Sequence, residues 1–583
     1  MRLAEAQKRA SSATGAGDHR EALKWHLRAL ALAKVHVAAV TAAGGRLSRE
    51  EATAAARTHM AIAETYEASK GLGLASSRAE PAGASDGSRR KNRNHLDRLD
   101  REASDMAGLT QAVTHLQHTI GACGAAFAPA NASEPRGEER ESIARALRET
   151  KLEARARLGP RLLAVGRDED AAETTRRALE QISENMTETE TDRSRSNTRM
   201  ELLLCAADAE RAVGERFAAR ARDLKLRARA AAAAVASAAA DADAAAAVGR
   251  SGDEVYAEKA KLARAAADKA EAGEAERRDA EAEASRRFEA SETRLNEAEA
   301  FVEHLSEDVS GDASKTKVTA AVLTRRRSLR RARRDWLGAA ACVTSLLALA
   351  EANGGALPGT NHSTQGSAAG ALLLEAAELC VRAKAFEDAR AHAAAAAEAL
   401  LDPITKKHTA ASVRASGTLA FITARLGDLA GAAQMYRDAR HAALAEKAFG
   451  AATETSADLA DLEAALGSVR FAMSEARGDD ERRRPSKGAE QGEDAGEEPE
   501  TSSETSSSED AEAAARGAAR RRRLAAVAAL EEALGCFARA ADIERALGGA
   551  YSARCVELED RADACATALA EERAEGEDGA PFL

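Results

Sequence analysis

Apolar residues recur along this chain at the spacing of amphipathic α-helices. Turn-forming residues separate these helical segments. A glycine followed five residues later by an alanine occurs at Gly17/Ala22, Gly166/Ala171, Gly214/Ala219, Gly427/Ala432 and Gly467/Ala472. Glycine can end one helix in the left-handed conformation, and alanine lets the next helix approach its partner closely. The recurrence predicts helical hairpins that stack into an α-solenoid.

Interruptions of the hairpin pattern indicate the domain organisation. A polar stretch rich in Gly, Pro and Ser predicts a flexible insertion at about 73–94. An acidic, Ser-rich stretch without apolar periodicity predicts disorder. The predicted domains are an N-terminal array (1–228), a long helix or coiled coil (229–310), a second array (318–477), an acidic disordered linker (478–510), a C-terminal helical hairpin or cap (511–572) and a disordered tail (573–583).

The central tract is rich in alanine and glutamate and breaks the hairpin pattern. Phe288, Leu295 and Val302 are spaced by seven residues, which is typical of a coiled-coil seam. Upstream of Phe288 the seam is almost entirely alanine. A single long helix, an alanine-rich hairpin and a dimeric coiled coil therefore all remain open.

Composition agrees with an all-α fold and limits the classes of function. Aromatic residues make up only 3% of the chain, which leaves little material for a β-sheet. The net charge of −11 argues against direct nucleic-acid binding by the chain as a whole. The N-terminus has no apolar signal segment, and the most apolar window, Trp336–Ala350, is too short to span a bilayer. We therefore expect an intracellular protein without a membrane segment. Basic runs at 89–93, 325–334 and 520–523 are compatible with the nucleus as well as the cytoplasm.

The sequence contains no recognisable catalytic or cofactor motif. It has no phosphate-binding glycine loop, no nucleophile elbow and no Cys-x-x-Cys pair among its seven cysteines. His115 and His118 lie one helical turn apart, but no further ligand at matching spacing accompanies them. We predict a non-enzymatic protein with no catalytic residue, cofactor, metal site or small-molecule substrate.

Recognition of other proteins is the chemistry that remains. In stacked hairpins the first helix of each unit lines a concave groove. The groove positions mix both signs of charge with scattered apolar side chains, which suits a peptide or helix of a protein partner. The predicted partner-groove residues are Arg57, Met60, Glu64, Arg157, Asp208, Arg211, Arg414 and Phe421. The oligomeric state and the partner's identity stay open.

The hairpins resemble tetratricopeptide (TPR) repeats of the long type, about 40 residues each. Among such arrays, kinesin light chains and Tonsoku-like proteins are the most similar. Four features occur in the same order as in Tonsoku-like arrays. They are EALKW at 21–25, a helix followed by an insertion and a delayed second helix, GDLAGAAQMYRDA at 427–439, and a final helix containing Cys536 and Phe537.

The Tonsoku-like resemblance implies a nuclear scaffold in replication-fork repair. The chain departs from that family because it has neither ankyrin nor leucine-rich repeats, so histone reading is not implied. Since the first repeat begins almost at Met1, a fragment of a longer protein and an incomplete gene model both stay open. The alternative function is a structural coiled-coil or adaptor protein of the cytoskeleton or cilium, built around residues 224–308.

Overall fold

The computed structural model describes most of the chain, and its described residues form seventeen helices and no strand. They divide into two compact units, Met1–Gly311 and Asp312–Leu583. The described residues are 3–42, 49–68, 90–125, 138–185, 193–247, 253–305, 312–353, 365–402, 404–405, 407–448, 456–482, 506–548 and 552–578.

Unit 1 consists of helices that each pack on the next one along the chain. They are α1 (Leu3–Gly15), α2 (His19–Ala42), α3 (Arg49–Ala68), α4 (Arg90–Ala125), α5 (Glu138–Ala164), α6 (Asp168–Asn185), α7 (Arg193–Ala247) and α8 (Asp253–Leu305). The first helices of successive hairpins also touch, because α3 contacts α5 and α5 contacts α7. Sequential packing of this kind is the arrangement of an α-solenoid.

Unit 2 repeats the same sequential packing. Its helices are α9 (Asp312–Ala332), α10 (Trp336–Ala352), α11 (Gln365–Arg382), α12 (Phe386–Ala399), α13 (Ala410–Arg425), α14 (Leu429–Ala445), α15 (Ala457–Arg482), α16 (Ser506–Gly548) and α17 (Ala553–Asp578). Here α11 contacts α13 and α13 contacts α15, so the first helices again share one face. The predicted all-α solenoid fold is confirmed.

One turn geometry joins the two helices of every hairpin whose turn lies in the described residues. The turn residue has a positive φ, and the residue after it donates a backbone hydrogen bond to the carbonyl five positions earlier, as Ala385 N does to Cys380 O at 2.9 Å. Five residues beyond each turn residue stands a fully buried alanine. The pairs are Gly17/Ala22, Gly166/Ala171, Arg334/Ala339, Lys384/Ala389 and Gly427/Ala432.

Aspartate begins the second helix in three of these hairpins. A side-chain oxygen of Asp18, Asp335 or Asp428 accepts a hydrogen bond from the backbone N–H three residues later, at 2.8–3.0 Å. This satisfies one of the backbone donors that a helix start leaves without an intrahelical partner. Turn and cap together fix the point at which each second helix starts.

Two glycines of the sequence pattern do not lie in turns, and for them the prediction was wrong. Gly214 lies inside α7 and Gly467 lies inside α15. A Cβ on Gly214 would come within 2.7 Å of the Phe288 ring, and one on Gly467 within 3.2 Å of the Phe537 ring. Both glycines therefore make room for an aromatic ring of the neighbouring helix.

Lys384 adopts the left-handed conformation (φ 62°) that costs a residue with a Cβ about 1–2 kcal/mol. We expect Lys384→Gly to raise the free energy of unfolding by about 0.5–1 kcal/mol, since the more flexible unfolded chain offsets part of the relief. Urea unfolding of the full chain measures the change. Lys384→Ala is the control and should give no gain; an equal gain from alanine would rule out backbone strain as the cause.

Helices α7 and α8 form an antiparallel hairpin within unit 1. Ser291 donates to the carbonyl of Ala207 at 2.8 Å, and Arg287 pairs with Glu210 at 3.0 Å. The seam residues Phe288, Leu295 and Val302 are at most 6% exposed in this hairpin. Helix α7 runs through the boundary predicted between residues 228 and 229.

Helices reach into three predicted irregular segments. α4 begins at Arg90, α15 ends at Arg482 while α16 begins at Ser506, and α17 ends at Asp578. The rest of the predicted insertion, linker and tail (73–89, 483–505 and 579–583) lies outside the described residues. The domain boundaries stay predictions.

The most apolar stretch of the sequence forms α10, whose buried residues include Val343 and Leu346. Its contacts are with α9 and α11 of unit 2. Among the described helices, none combines the length and the apolar character needed to cross a bilayer.

Candidate functional site

A groove with a volume of about 430 Å³ lies on the face of unit 2 formed by the first helices of three successive hairpins. We call it the unit 2 groove. Helices α11, α13 and α15 supply most of its lining, and α14 adds one tyrosine. The lining residues are Glu378, Val381, Arg382, Arg414, Gly417, Thr418, Phe421, Tyr436, Asp458, Asp461, Leu462 and Ala465.

Small and aromatic residues shape the apolar part of the unit 2 groove. Gly417 lets α13 approach α15, because a Cβ there would come within 2.9 Å of a methyl group of Leu462. Tyr436 is 3% exposed, and burial raises the pKa of its hydroxyl above the ordinary range. Phe421, by contrast, is 43% exposed. The groove thus offers one accessible aromatic ring beside well-packed walls.

Ion pairs hold two of the three carboxylates in the unit 2 groove. Arg414 binds Asp458 through two hydrogen bonds, at 2.9 and 2.7 Å, which raise the pKa of Arg414. Asp461 pairs with Arg554 of α17. Glu378 is exposed and is the one acid of the lining without an ion-pair partner among the described residues.

Arg382 is the second arginine of the lining, and an aromatic ring holds it. Its guanidinium carbon lies 5.4 Å from the centre of the Trp336 ring of α10. At this distance the ring face attracts the cation. Both lining arginines, Arg382 and Arg414, therefore already have a partner within unit 2.

Two of the predicted partner-groove residues, Arg414 and Phe421, lie in the unit 2 groove. They stand seven residues apart on α13, which places them two helical turns apart on one face. Arg414 is partly engaged by Asp458, whereas the Phe421 ring is open to solvent. The structure thus brings these two predicted residues together in one groove, and their contact with a partner stays a prediction.

The unit 1 candidates lie on α3, α5 and α7. Arg57 is exposed, and Glu64 pairs with Arg157 at 2.7 Å, which joins α3 to α5. Asp208 and Arg211 face each other on α7 at 3.8 Å and are each about one quarter exposed. Apart from Arg57, the charged candidates of unit 1 are thus engaged in ion pairs within the unit, namely Glu64 with Arg157 and Asp208 with Arg211.

Met60 is a correction to the predicted groove. It is 6% exposed and belongs to a buried cluster with Leu116 of α4 and Leu158 of α5. The side of α3 that carries Met60 faces the core, since α4 and α5 both pack there. Its side chain is not available to a partner.

Sequence reasoning did not find Glu378, although the turn register identifies it. Glu378 precedes the turn residue Lys384 by six positions, and Phe421 precedes Gly427 by six positions. The two residues therefore occupy the same position in successive hairpins. The glycine–alanine pattern does not mark this turn, because Lys384 stands where the other hairpins have glycine or arginine.

A third histidine joins the pair noted in the sequence. His59 of α3 lies with its Nδ1 2.9 Å from Nδ1 of His115, and its ring centre is 5.1 Å from that of His118. In the described part of the chain no group of three or more His, Cys, Asp or Glu side chains has the geometry to hold a metal ion. The cluster is a packing contact between α3 and α4.

The lining of the unit 2 groove combines charged and apolar groups. It contains carboxylates, arginines, one threonine and aromatic rings. A mixed apolar and charged surface of this kind suits a segment of another protein.

No family model and no curated protein matches this chain. Two solved structures align along nearly its whole length. A circular tandem repeat protein with novel repeat topology and enhanced subunit contact surfaces is 9% identical, with coverage of 98% of this chain and 96% of that chain and a TM-score of 0.21. The APC/C hetero-tetramer Cut9–Hcn1 is 12% identical, with coverage of 96% of both chains and a TM-score of 0.20. TM-scores this low do not establish structural similarity. The α-solenoid fold is therefore assigned from the contacts between successive helices of the chain itself.

Proposed function

We propose that this chain is a non-enzymatic protein-interaction scaffold that binds a peptide or helix of a partner protein in the unit 2 groove. The observation that carries the proposal is the groove itself, lined by three successive first helices with Phe421 43% exposed. An accessible aromatic ring within a concave, partly charged surface is typical of a binding hot spot.

The charges of the unit 2 groove support binding of a protein segment rather than of a purely apolar molecule. Charged residues flank Phe421 on all three first helices, among them Arg382 on α11, Arg414 on α13 and Asp461 on α15. An apolar anchor surrounded by polar groups is how protein interfaces are built, with the rim contributing register and specificity.

A displayed random-peptide library, selected against the full chain, tests the proposal. We expect peptides that bind the wild-type chain and lose roughly tenfold or more in affinity to Phe421→Asp, because a carboxylate replaces the apolar anchor. The control is Ile404→Asp, at a 90% exposed isoleucine outside the groove lining, which should bind as the wild type does. Selected peptides that bind Phe421→Asp unchanged would place recognition elsewhere and contradict the proposal.

A role in nuclear genome maintenance is the finer form of this proposal. The support for it is the resemblance of the hairpin order to Tonsoku-like arrays, together with the basic runs, of which residues 325–334 lie in and just after α9. Two arginines of that run, Arg327 and Arg331, bind Glu375 at 2.9 and 3.0 Å and so link α9 to α11 by ion pairs. The nuclear role stays a prediction.

The alternative, a structural coiled-coil protein, depends on the seam in residues 224–308. Leu295 is 1% exposed and Phe288 6% exposed, and Phe288 packs against Gly214 of α7 in the same chain. A seam covered by its own hairpin partner has little apolar surface left for a second chain. This favours the scaffold over the coiled coil.

A further inference from the structure

We infer that the partner segment places a lysine or arginine side chain in the unit 2 groove, between Glu378 and Phe421, next to an apolar residue. This inference rests on the proposed function and names the chemistry of the partner. It follows from the arrangement of acids and aromatic rings in the groove.

Glu378 and Phe421 line the same groove from successive hairpins. Each stands six residues before the turn residue of its hairpin, and their helices α11 and α13 contact each other. Equivalent positions of successive hairpins lie side by side in a solenoid. Both side chains line the same groove and both are exposed.

The charges of the lining favour a cation over an anion. An incoming cation meets one carboxylate, Glu378, that has no ion-pair partner in the described residues, while Asp458 and Asp461 are already paired. An incoming carboxylate would instead have to compete with Asp458 for Arg414, or draw Arg382 away from the Trp336 ring. Charge complementarity of this kind sets which partners an interface accepts.

The aromatic ring adds a second attraction for the same cation. The exposed face of Phe421 binds an ammonium or guanidinium group through its quadrupole, and it packs on the methylene groups of lysine or arginine. An adjacent apolar residue of the partner would fill the space beside Leu462 and Ala465, which line the same groove. The predicted ligand is therefore a short segment with one basic and one apolar anchor.

Charge reversal at Glu378 tests the inference with the peptides selected from the random library. We expect the selected peptides to share a lysine or arginine near an apolar residue, and Glu378→Lys to weaken their binding by about tenfold in fluorescence anisotropy. Replacing the basic residue of the best peptide with glutamate should restore binding to Glu378→Lys. The matched control is Glu398→Lys, an exposed glutamate on α12, a helix that contributes nothing to the groove lining. It should leave affinity unchanged.

The outcomes separate this inference from the proposed function. Peptides that depend on Phe421 but carry no basic residue, or carry acidic ones, would overturn the inference and leave the scaffold function intact. The absence of any peptide sensitive to Phe421→Asp would contradict both. Far-UV circular dichroism of Glu378→Lys confirms that a loss of binding is not a loss of helix.

Discussion

Replacing Glu463 with alanine is expected to lower the free energy of unfolding of unit 2 by about 3 kcal/mol. The Glu463 side chain is 2% exposed and lies on α15 between two arginines. Arg539 of α16 binds both of its carboxylate oxygens, at 3.1 and 3.0 Å, and Arg440 of α14 donates to one of them. One buried carboxylate thus ties three helices together.

The size of the effect follows from what remains after the substitution. Arg440 and Arg539 are 34% and 45% exposed, so solvent compensates part of their lost pairing. This keeps the expected loss near the lower end of the range for breaking a buried ion pair. Arg539 also donates to Cys536 Sγ at 3.2 Å, and burial together with the Glu463 charge raises the pKa of that thiol to about 12. Loss of Glu463 therefore disturbs a connected group of side chains.

Urea unfolding of the full chain, with hydrogen exchange of α14–α16 to identify the unit 2 transition, measures the change. Glu532→Ala is the matched control, because Glu532 also faces two arginines, Arg470 at 2.7 Å and Arg437 at 3.7 Å, but is 31% exposed. We expect it to cost about 1 kcal/mol or less. Equal losses at Glu463 and Glu532 would show that burial does not set the strength of these pairs.

The hairpin repeat was predictable from the sequence where glycine occupies the turn. Gly17, Gly166 and Gly427 were found correctly because glycine is the residue that adopts a positive φ most readily. Arg334 and Lys384 adopt the same conformation in turns that the glycine–alanine pattern does not include. All five hairpins share an alanine five residues after the turn residue, and the structure buries each of these alanines fully.

The same pattern fails at Gly214 and Gly467 for a physical reason. A glycine–alanine offset does not distinguish a turn from a glycine inside a helix that accommodates a ring of the next helix. Around Gly214 the apolar periodicity continues without a polar break, and no aspartate follows the glycine to cap a new helix. Requiring an aspartate directly after the glycine would have retained Gly17 and Gly427 and removed Gly214 and Gly467, but it would also have removed the true turn at Gly166, which Arg167 follows.

That the predicted groove residues bind a partner stays a prediction. Arg414 and Phe421 lie in one groove because the α13 hairpin matches the repeat pattern well, whereas Met60 lies on the buried side of α3. Glu463 carries no sequence signal, since acidic residues are frequent on every helix of this chain and only tertiary packing distinguishes a buried one. Pairing of His59 with His115, 56 residues away, likewise depends on how α3 packs on α4.

Acidification from about pH 6.5 to pH 4 is expected to destabilise unit 1 by an amount on the order of 3 kcal/mol through this histidine pair. Burial, together with the positive charge that His118 and Lys34 can carry, lowers the pKa of His59 and of His115 to about 4, and His115 contributes to the shift at His59. Tyr66, stacked on His115, adds no negative charge in this range because burial raises the pKa of its hydroxyl. The hydrogen bond between the two Nδ1 atoms also requires that one of them accept, which a doubly protonated pair cannot do.

The sign of this pH effect follows from proton uptake. Folded unit 1 keeps His59 and His115 neutral, whereas in the unfolded chain both take up protons near pH 6.5. Their contribution to stability is therefore fully present above pH 6.5 and is lost as the pH falls toward 4. Urea unfolding at several pH values should show a steeper loss for the wild-type chain than for the double variant His59→Gln/His115→Gln. His392→Gln in α12 is the control and should retain the wild-type slope. His26, whose pKa is also lowered by burial, is present in every variant and contributes equally to all of the slopes. An unchanged slope in the double variant would exclude the histidine pair as the source of acid sensitivity.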